Sequence, residues 1–440
     1  MKVNPVPRSA PAKDYRSERF WDPRDLEQEM RRVFEICHGC RMCVNYCGSF
    51  PDMFARVDRD IEKNGAVGAE ALTAEDLTSV TDLCWQCKLC YIKCPYTADE
   101  GHPWLVDVPR LLTRQKAQTA RRNGVTVADK ALGEPQALGS IAAGPLASLA
   151  NFVHANRLVR KANEKILGIS AEFPLPTFAA RAFDQWLTHH EPLPRAGERG
   201  TVAIFATCTG DYNFPGIPGN AVRVLERNGY RVVRPRQTCC GLPNLDGGDV
   251  AAATEKAEAN VLSLLSEIDL GRKVVVVGPS CSYTIKKEYL DLLGTAEARR
   301  VADHTFDIME FLDILRKDGQ LDRNFSSGLG KIAYHAPCHL RAQKIGFPGA
   351  RLLRLLPETE VEMVEQCSAV DGTWGMKAKH YAMGRKYAQK LVRDVEAAEP
   401  RLVVSDCPLS ALRIKKENER DVVHPIEAMA RGYGIAIATD

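Results

Sequence analysis

Fifteen cysteines stand in this 440-residue chain, and eight of them fall between Cys37 and Cys94. They form two runs of one pattern, Cys37-x2-Cys40-x2-Cys43-x3-Cys47 and Cys84-x2-Cys87-x2-Cys90-x3-Cys94, the second followed at once by Pro95. Thiols at this spacing suit a cubane iron–sulfur cluster. Three closely spaced cysteines wrap a tight loop around three iron corners, and a distant cysteine closes the fourth. In two-cluster runs the fourth cysteine ligates the other cluster. The expected ligand sets are therefore Cys37, Cys40, Cys43 and Cys94 for a first [4Fe–4S] cluster, and Cys84, Cys87, Cys90 and Cys47 for a second. Gly48 stands where proline is usual after the first run and still permits a turn. Zinc is the competing reading, but zinc sites use two CxxC pairs rather than eight thiols in two such runs. Trp85 and Tyr91 read as packing that keeps water off the second cluster.

The other seven cysteines are spread further apart. Cys208 is followed by the pair Cys239-Cys240 and then by Cys281; further on come Cys338, Cys367 and Cys407. The surrounding sequence repeats. TVAIFATC ending at Cys208 matches KIAYHAPC ending at Cys338, GNAVRVLERNGYRVV matches GARLLRLLPETEVEMV, and KVVVVGPSC ending at Cys281 matches RLVVSDC ending at Cys407. The two α/β units expected from this are 201–330 and 331–440, each with its cysteines near strand ends. The four thiols of the first unit suffice for a third cluster. The three of the second unit leave four readings open: a [4Fe–4S] cluster with one other ligand, a smaller cluster, zinc, or no metal. His339 and Asp406 are candidate extra ligands, and His339 reads equally well as a hydrogen-bonded structural histidine.

The elements that must position these residues follow from the apolar pattern. Asp25–Glu35 reads as helix, and so does Ala69–Asp82 between the two runs, with Thr73 as N-cap and Asp76 three residues on. Residues 1–110 are expected to form the helical two-cluster domain and 111–200 a helical linker broken by Gly and Pro. Within that linker Ser148–Lys165 reads as one amphipathic helix, packed on its own protein or, in the sharper reading, lying on a membrane surface. His189 and His190 read as solvated linker, and His304 and His424 lack partners at ligand spacing. Short apolar runs at Val202–Phe205, Lys273–Val277, Lys331–Tyr334 and Arg401–Val404 read as buried parallel strands. Gly241, Gly247, Gly248, Gly372 and Gly375 are expected where backbone approaches a cluster or takes positive φ. The fold class is α+β multidomain.

These motifs carry a resemblance. The separated quartets with a helix between them resemble the α-helical ferredoxin module of respiratory dehydrogenases. Over nearly its whole length the chain resembles the CCG-domain proteins, which include heterodisulfide reductase B/D-type subunits, glycolate oxidase iron–sulfur subunits and the C subunits of anaerobic glycerol-3-phosphate dehydrogenases. FATCTGDYNFPGIPGNAVRVLERNG, CCGLPNLDGGD, HAPCHLRAQ and GTWGMK look most like the last of these. The family's fullest pattern has five thiols per repeat. Here Thr284 and Ser410 stand at the last thiol position, and Ser368 replaces the second member of the second cysteine pair. The resemblance implies an electron-transfer subunit that takes electrons from a flavoprotein dehydrogenase and passes them to a quinone or another carrier, without holding the substrate site itself. The alternatives are a heterodisulfide reductase-like catalytic subunit, which the missing fifth thiols count against, and a glycolate oxidase-type subunit.

Composition narrows the classes further. The net charge is +3, which gives no reason to expect a nucleic-acid partner. No apolar run approaches a membrane span, and Met1 to Phe20 has no apolar core of a signal peptide. The expected location is the cytoplasm, with peripheral contact at the inner face of the membrane as an option. In a reducing compartment the cysteines read as metal ligands rather than disulfides. No GxGxxG or Walker A sequence encodes a flavin or nucleotide site.

Overall fold

The computed structural model describes residues 5–7, 9–65, 68–370 and 372–435. Residues 1–4 of the polar lead-in and 436–440 of the second repeat lie outside the described residues. The chain divides into two units. One runs to Thr126 and includes Asn244–Val250, and the other holds Val127–Pro243 and the chain from Ala251 onward.

The first unit is helical. The helix Pro23–Cys40 starts on Asp22, whose side chain accepts from the Arg24 N–H, with proline at the first helical position. It buries Leu26, Met30, Val33, Phe34 and Ile36 along one side, and ends at Arg41, which takes φ 54° and donates its N–H to the Cys37 carbonyl. It is longer than expected at both ends and carries Cys37 and Cys40 in its last turns. Helix Ser49–Asn64 begins two residues after Cys47. Between the cysteine runs the single expected helix is a short 3-10 turn, Gly68–Ala71, followed by helix Ala74–Asp82. Thr73 and Asp76 form the expected reciprocal cap. Burial opposes ionisation of Asp76, but hydrogen bonds from Thr73 and Arg56 outweigh it and hold the carboxyl down at about 2. Helix Val108–Asn123 spans the boundary expected at 110. Its buried Arg114 donates to Phe20 O and Asp25, and Gln118 donates to Phe20 O, which ties this helix to the start of the chain.

The second unit contains two parallel sheets of four strands. In the first, β1 (Thr201–Phe205), β2 (Arg231–Val233), β3 (Lys273–Val276) and β4 (Thr305–Asp307) take the order β2-β1-β3-β4. In the second, β5 (Gly330–His335), β6 (Thr359–Val364), β7 (Leu402–Ser405) and β8 (Val422–Val423) take the order β6-β5-β7-β8. The topology is the same in both repeats. The four apolar runs expected as strands are the two central pairs, β1 with β3 and β5 with β7. The outer strands are shorter or more polar, and sequence pattern alone does not mark them. Ile204 and Val275 of the first sheet share one apolar core with Ile332, Tyr334 and Val404 of the second. Cysteine loops follow the carboxyl ends of β1, β2 and β3 in the first repeat and of β5, β6 and β7 in the second, where ligand sites of parallel sheets form.

Two expectations for residues 111–200 need correction. Ser148–Lys165 is two helices, Ala147–Ala155 and Arg157–Leu167, because Asn156 leaves helical geometry and its side chain caps the second helix by accepting from the N–H groups of Leu158 and Val159. Leu149, Phe152 and Val153, the apolar side expected to pack on the protein, are exposed, Phe152 at 72%, as is Leu158 at 78%, while Ala147 is buried. His190 is not solvated linker: it bonds Glu226 at 2.8 Å and stacks on Trp186. Among the described residues no helix is long and apolar enough to cross a membrane.

Candidate metal centres

In the first unit the thiols of the two runs are neighbours: Cys94 acts on Cys37 and Cys43, and Cys47, Cys43 and Cys37 act on Cys90. Burial first, and then the charges of Cys94, Cys43 and Cys40, push the Cys37 thiol up. Burial, with Cys94 and Cys40 beside it, pushes Cys43 up to about 12. Cys90 is likewise raised by burial and then by Cys84 and Cys47. One enclosed recess is lined by Cys47, Cys84, Cys87 and Cys90 together with Trp85, Gln86, Lys88 and Leu112. Four thiols gathered out of water repel one another as thiolates, and an iron–sulfur core supplies the positive charge that offsets this repulsion. The donor sets therefore fit two clusters. Trp85 is fully buried in the second recess, as expected, and the Tyr91 hydroxyl donates to Asp99.

In the first repeat Cys208 opens the short helix Cys208–Tyr212 directly after β1, and its sulfur lies 3.9 Å from that of Cys239. The Cys208 thiol is pushed up by its bond to Cys239, by burial and by the nearness of Cys281; Cys240 is raised by bonds to Cys239 and Cys281. All four thiols converge. Gly241 follows at φ 84°, where a Cβ would stand 3.1 Å from the Ala253 carbonyl oxygen, so this turn requires glycine. Asn260 donates to the carbonyls of Thr238 and Cys239 and to the Tyr289 hydroxyl, which itself donates to the Cys240 carbonyl. The paired-cysteine loop is thus held by buried side chains. Thr284 does not face the site as a spare ligand, because its hydroxyl donates to the Ser280 carbonyl at 2.7 Å and opens a π-helical turn, Thr284–Glu288.

Comparison with known proteins matches the two halves separately. The family model for the citrate utilization protein B Fer4-like domain matches residues 30–121, and that for the cysteine-rich domain CCG matches twice, at 202–286 and 332–415. The chain thus carries two CCG cysteine-rich domains. It is similar to the C subunit of the anaerobic glycerol-3-phosphate dehydrogenase of Escherichia coli, at 26% identity over 68% of this chain and 76% of the relative. It also resembles an uncharacterised iron–sulfur protein of Methanocaldococcus jannaschii, 26% identical over 54% of this chain and 48% of that protein. Lactate utilization protein A of Shouchella clausii is 27% identical over 47% of this chain and 87% of its own length.

The second CCG repeat places Cys338 at the start of helix Cys338–Ala342 after β5, Cys367 in the loop after β6, and Cys407 as N-cap of helix Pro408–Asn418 after β7. The Ala369 N–H points at the Cys367 sulfur, 3.2 Å away. Burial raises the Cys407 thiol, against hydrogen bonds from Ser410 and the Leu409 backbone. His339 bonds Ser280 at 2.9 Å and stacks on Tyr283, both beside Cys281 of the first repeat. Asp406 accepts from the Tyr334 hydroxyl at 2.5 Å, and burial pushes its carboxyl up to about 8. His339 thus joins the loops of the two repeats, and Asp406 is turned into the sheet core. Gly375 meets the Ala369 carbonyl, where a Cβ would come within 2.3 Å.

Sequence reasoning missed Gln136, Asn260, Tyr289 and Lys88. The first sits in helix Pro135–Ala142, about a hundred residues before the loop whose Cys239 N–H it accepts. No spacing signal links it to that loop. Lys88 carries a local signal, a cation inside a cysteine run, and its burial is visible only in the fold.

Proposed function

We propose that this iron–sulfur protein is an electron-transfer subunit of a dehydrogenase complex. A flavoprotein partner oxidises a small hydroxylated metabolite, electrons enter the clusters singly, and they leave to a quinone or another carrier. The observation that carries this reading is the gathering of three four-thiol groups on separate loops of one chain. Two would be held by Cys37, Cys40, Cys43 with Cys94 and by Cys84, Cys87, Cys90 with Cys47, and a third by Cys208, Cys239, Cys240 and Cys281. Cys338, Cys367 and Cys407 would hold a fourth cluster or zinc. When bound, such clusters supply one-electron redox chemistry, and the protein contributes ligation, burial and hydrogen bonds to sulfur. The names of the glycerol-3-phosphate and lactate relatives support a partner acting on hydroxylated metabolites. A cavity of about 520 Å³ is walled by apolar residues, among them Ala10, Pro11, Leu105 and Val106, and also by Lys13, Asp14, Arg19 and Asp107, with Tyr91 of the second cysteine run; it has room for a small acceptor with polar groups.

Peripheral membrane contact is part of the proposal. Leu138, Ile141, Leu146, Leu149, Phe152, Val153, Leu158 and Ile166 are all exposed. The stretch from Pro135 to Asn163 holds no Asp or Glu, while Arg157 and Lys161 are exposed cations within it. Apolar side chains beside cations, without acids, complement an anionic lipid surface of the cytoplasmic leaflet.

Protein purified without oxygen tests the reading. Iron and sulfide should reach about 12 atoms each per chain, four per cubane, and the clusters should be reduced by dithionite and by a flavoprotein dehydrogenase with its substrate. A chain with no reducible cluster would exclude it.

A further inference from the structure

Helix Pro135–Ala142 presents two unlike faces. Gln136, Gly139 and Ala142 recur at helical spacing and share the inner one. Gln136 accepts the Cys239 N–H, and its own amide donates to the Gln237 carbonyl at 3.2 Å. Gly139 lies against the Tyr212 ring, where a Cβ would come within 2.6 Å, and Tyr212 ends the short helix that Cys208 opens. The start of the helix is fastened as well, since Lys256 donates to the Gly133 carbonyl and pairs with Glu134 at 2.6 Å. Two residues beyond Gln136, and two beyond Gly139, the chain has turned by about 200°. Leu138 and Ile141 therefore stand on the opposite face, 54% and 69% exposed. That face opens the apolar stretch from Pro135 to Asn163, which holds no Asp or Glu. One helix, about 10–12 Å across with its side chains, separates it from the loops of Cys208 and Cys239.

Resting on the electron-transfer reading and its lipid contact, we propose that the four-thiol site of the first repeat is where electrons leave, to a quinone dissolved in the lipid. Leu138 and Ile141 enter the acyl boundary together with Leu149 and Phe152, and a lipophilic acceptor is concentrated in that layer. It reaches the outer face of the helix without crossing water. Electron transfer weakens steeply with distance, so a cover one helix thick leaves this site accessible while keeping water off the thiols. Two electrons, delivered singly from the reduced flavin of the partner by way of this site, and two protons from water convert the quinone to the quinol. The flavin is reoxidised in the same turnover.

The test uses the full chain, prepared without oxygen, reduced with dithionite and sedimented with vesicles of anionic phospholipid. Part of the lipid carries a headgroup chelate of dysprosium, which relaxes nearby electron spins, or of diamagnetic lanthanum as the control. The signal of the first repeat is the electron paramagnetic resonance signal that Cys239→Ser removes. Dysprosium should raise its half-saturation power severalfold over lanthanum. Leu138→Glu with Ile141→Glu should abolish that gain in the sedimented fraction, with iron content unchanged, because both side chains point outward. A long-chain isoprenoid quinone in the vesicles should reoxidise this variant severalfold more slowly, and a short-chain, water-soluble quinone at the unsubstituted rate. A bound chain whose first-repeat signal ignores dysprosium, or a variant that the vesicle quinone reoxidises at full rate, would overturn the proposal and leave the electron-transfer reading standing. Absence of vesicle binding would overturn it together with the lipid contact. A chain with no reducible signal would overturn the electron-transfer reading as well.

Discussion

The hydroxyl oxygens of Ser368 and Ser410 lie 2.9 Å apart and share a buried hydrogen bond in the second repeat. Both stand where the CCG pattern carries thiols, and Ser410 also bonds the Cys407 thiol. Each hydroxyl is thus satisfied by the other, and the repeat is left with three strong iron donors. Ser368→Cys restores a four-thiol set like that of the first repeat. Iron and sulfide per chain should rise, by up to about four atoms each, as measured on protein reconstituted without oxygen. Unchanged content would mean that the loop does not present position 368 to the site.

Cys239 stands at the centre of the first-repeat group, beside both Cys208 and Cys240. Cys239→Ser should remove about four irons per chain while the signals of the ferredoxin-type clusters persist. Loss of all iron would show instead that the third site is needed for the first unit to assemble.

Gln136 accepts the Cys239 N–H and donates to the Gln237 carbonyl at 3.2 Å. Gln136→Ala leaves a partly buried donor and acceptor unpaired, a cost of roughly 1–3 kcal/mol. The loop should open more often. Bleaching of the third cluster by a chelator should then quicken by about tenfold, since 1.4 kcal/mol is a factor of ten.

Asp307 is buried at the end of β4, and burial pushes its carboxyl up to about 7 against an ordinary value of 3.8. The folded state therefore holds a proton that the unfolded chain gives up first. Between pH 4 and 7 this group makes stability fall as pH rises, by roughly 1 kcal/mol per unit. Asp307→Asn, which keeps the helix cap, should stabilise the protein relative to the unsubstituted chain at pH 7.5 and much less at pH 4.5. Thermal melts at the two pH values check the sign.

The exposed apolar helices Ala147–Ala155 and Arg157–Leu167 give a prediction for lipid binding. Phe152→Glu with Leu158→Glu should cut sedimentation with anionic vesicles by about tenfold or more and leave cluster content unchanged, since both side chains point into water. Equal sedimentation would place lipid contact elsewhere.

The legible parts of this chain share a physical cause. Cysteine spacing is read directly because a ligand loop is a local structure. The central strands β1, β3, β5 and β7 are legible because each carries a continuous apolar run through its buried part, being covered on both faces. β2, with only Arg231–Val233, and β6, whose Thr359, Glu360 and Glu362 give it a polar pattern, are not. The break at Asn156 is hidden because the flanking residues keep a helical pattern while one side chain chooses to cap. Gln136 and Asn260 are hidden because their role is a contact across the sequence. Lys88 stands in plain view as a cation, but a residue's burial is a property of the neighbours that the fold brings to it.

Cys94 sits among the thiols of the first run, and Cys47 lines the recess of the second. With clusters held on the proposed ligand sets, each centre would be a clasp that joins the two ends of the same stretch, from Cys47 to Cys84, and both clasps would lock that stretch at once. Helices Ser49–Asn64 and Ala74–Asp82 lie inside that doubly fastened loop. Damage to one centre by oxygen would then release a ligand that belongs to the opposite run, and would not leave a half-working module. On these ligand sets the unit would mature, and fail, as a whole.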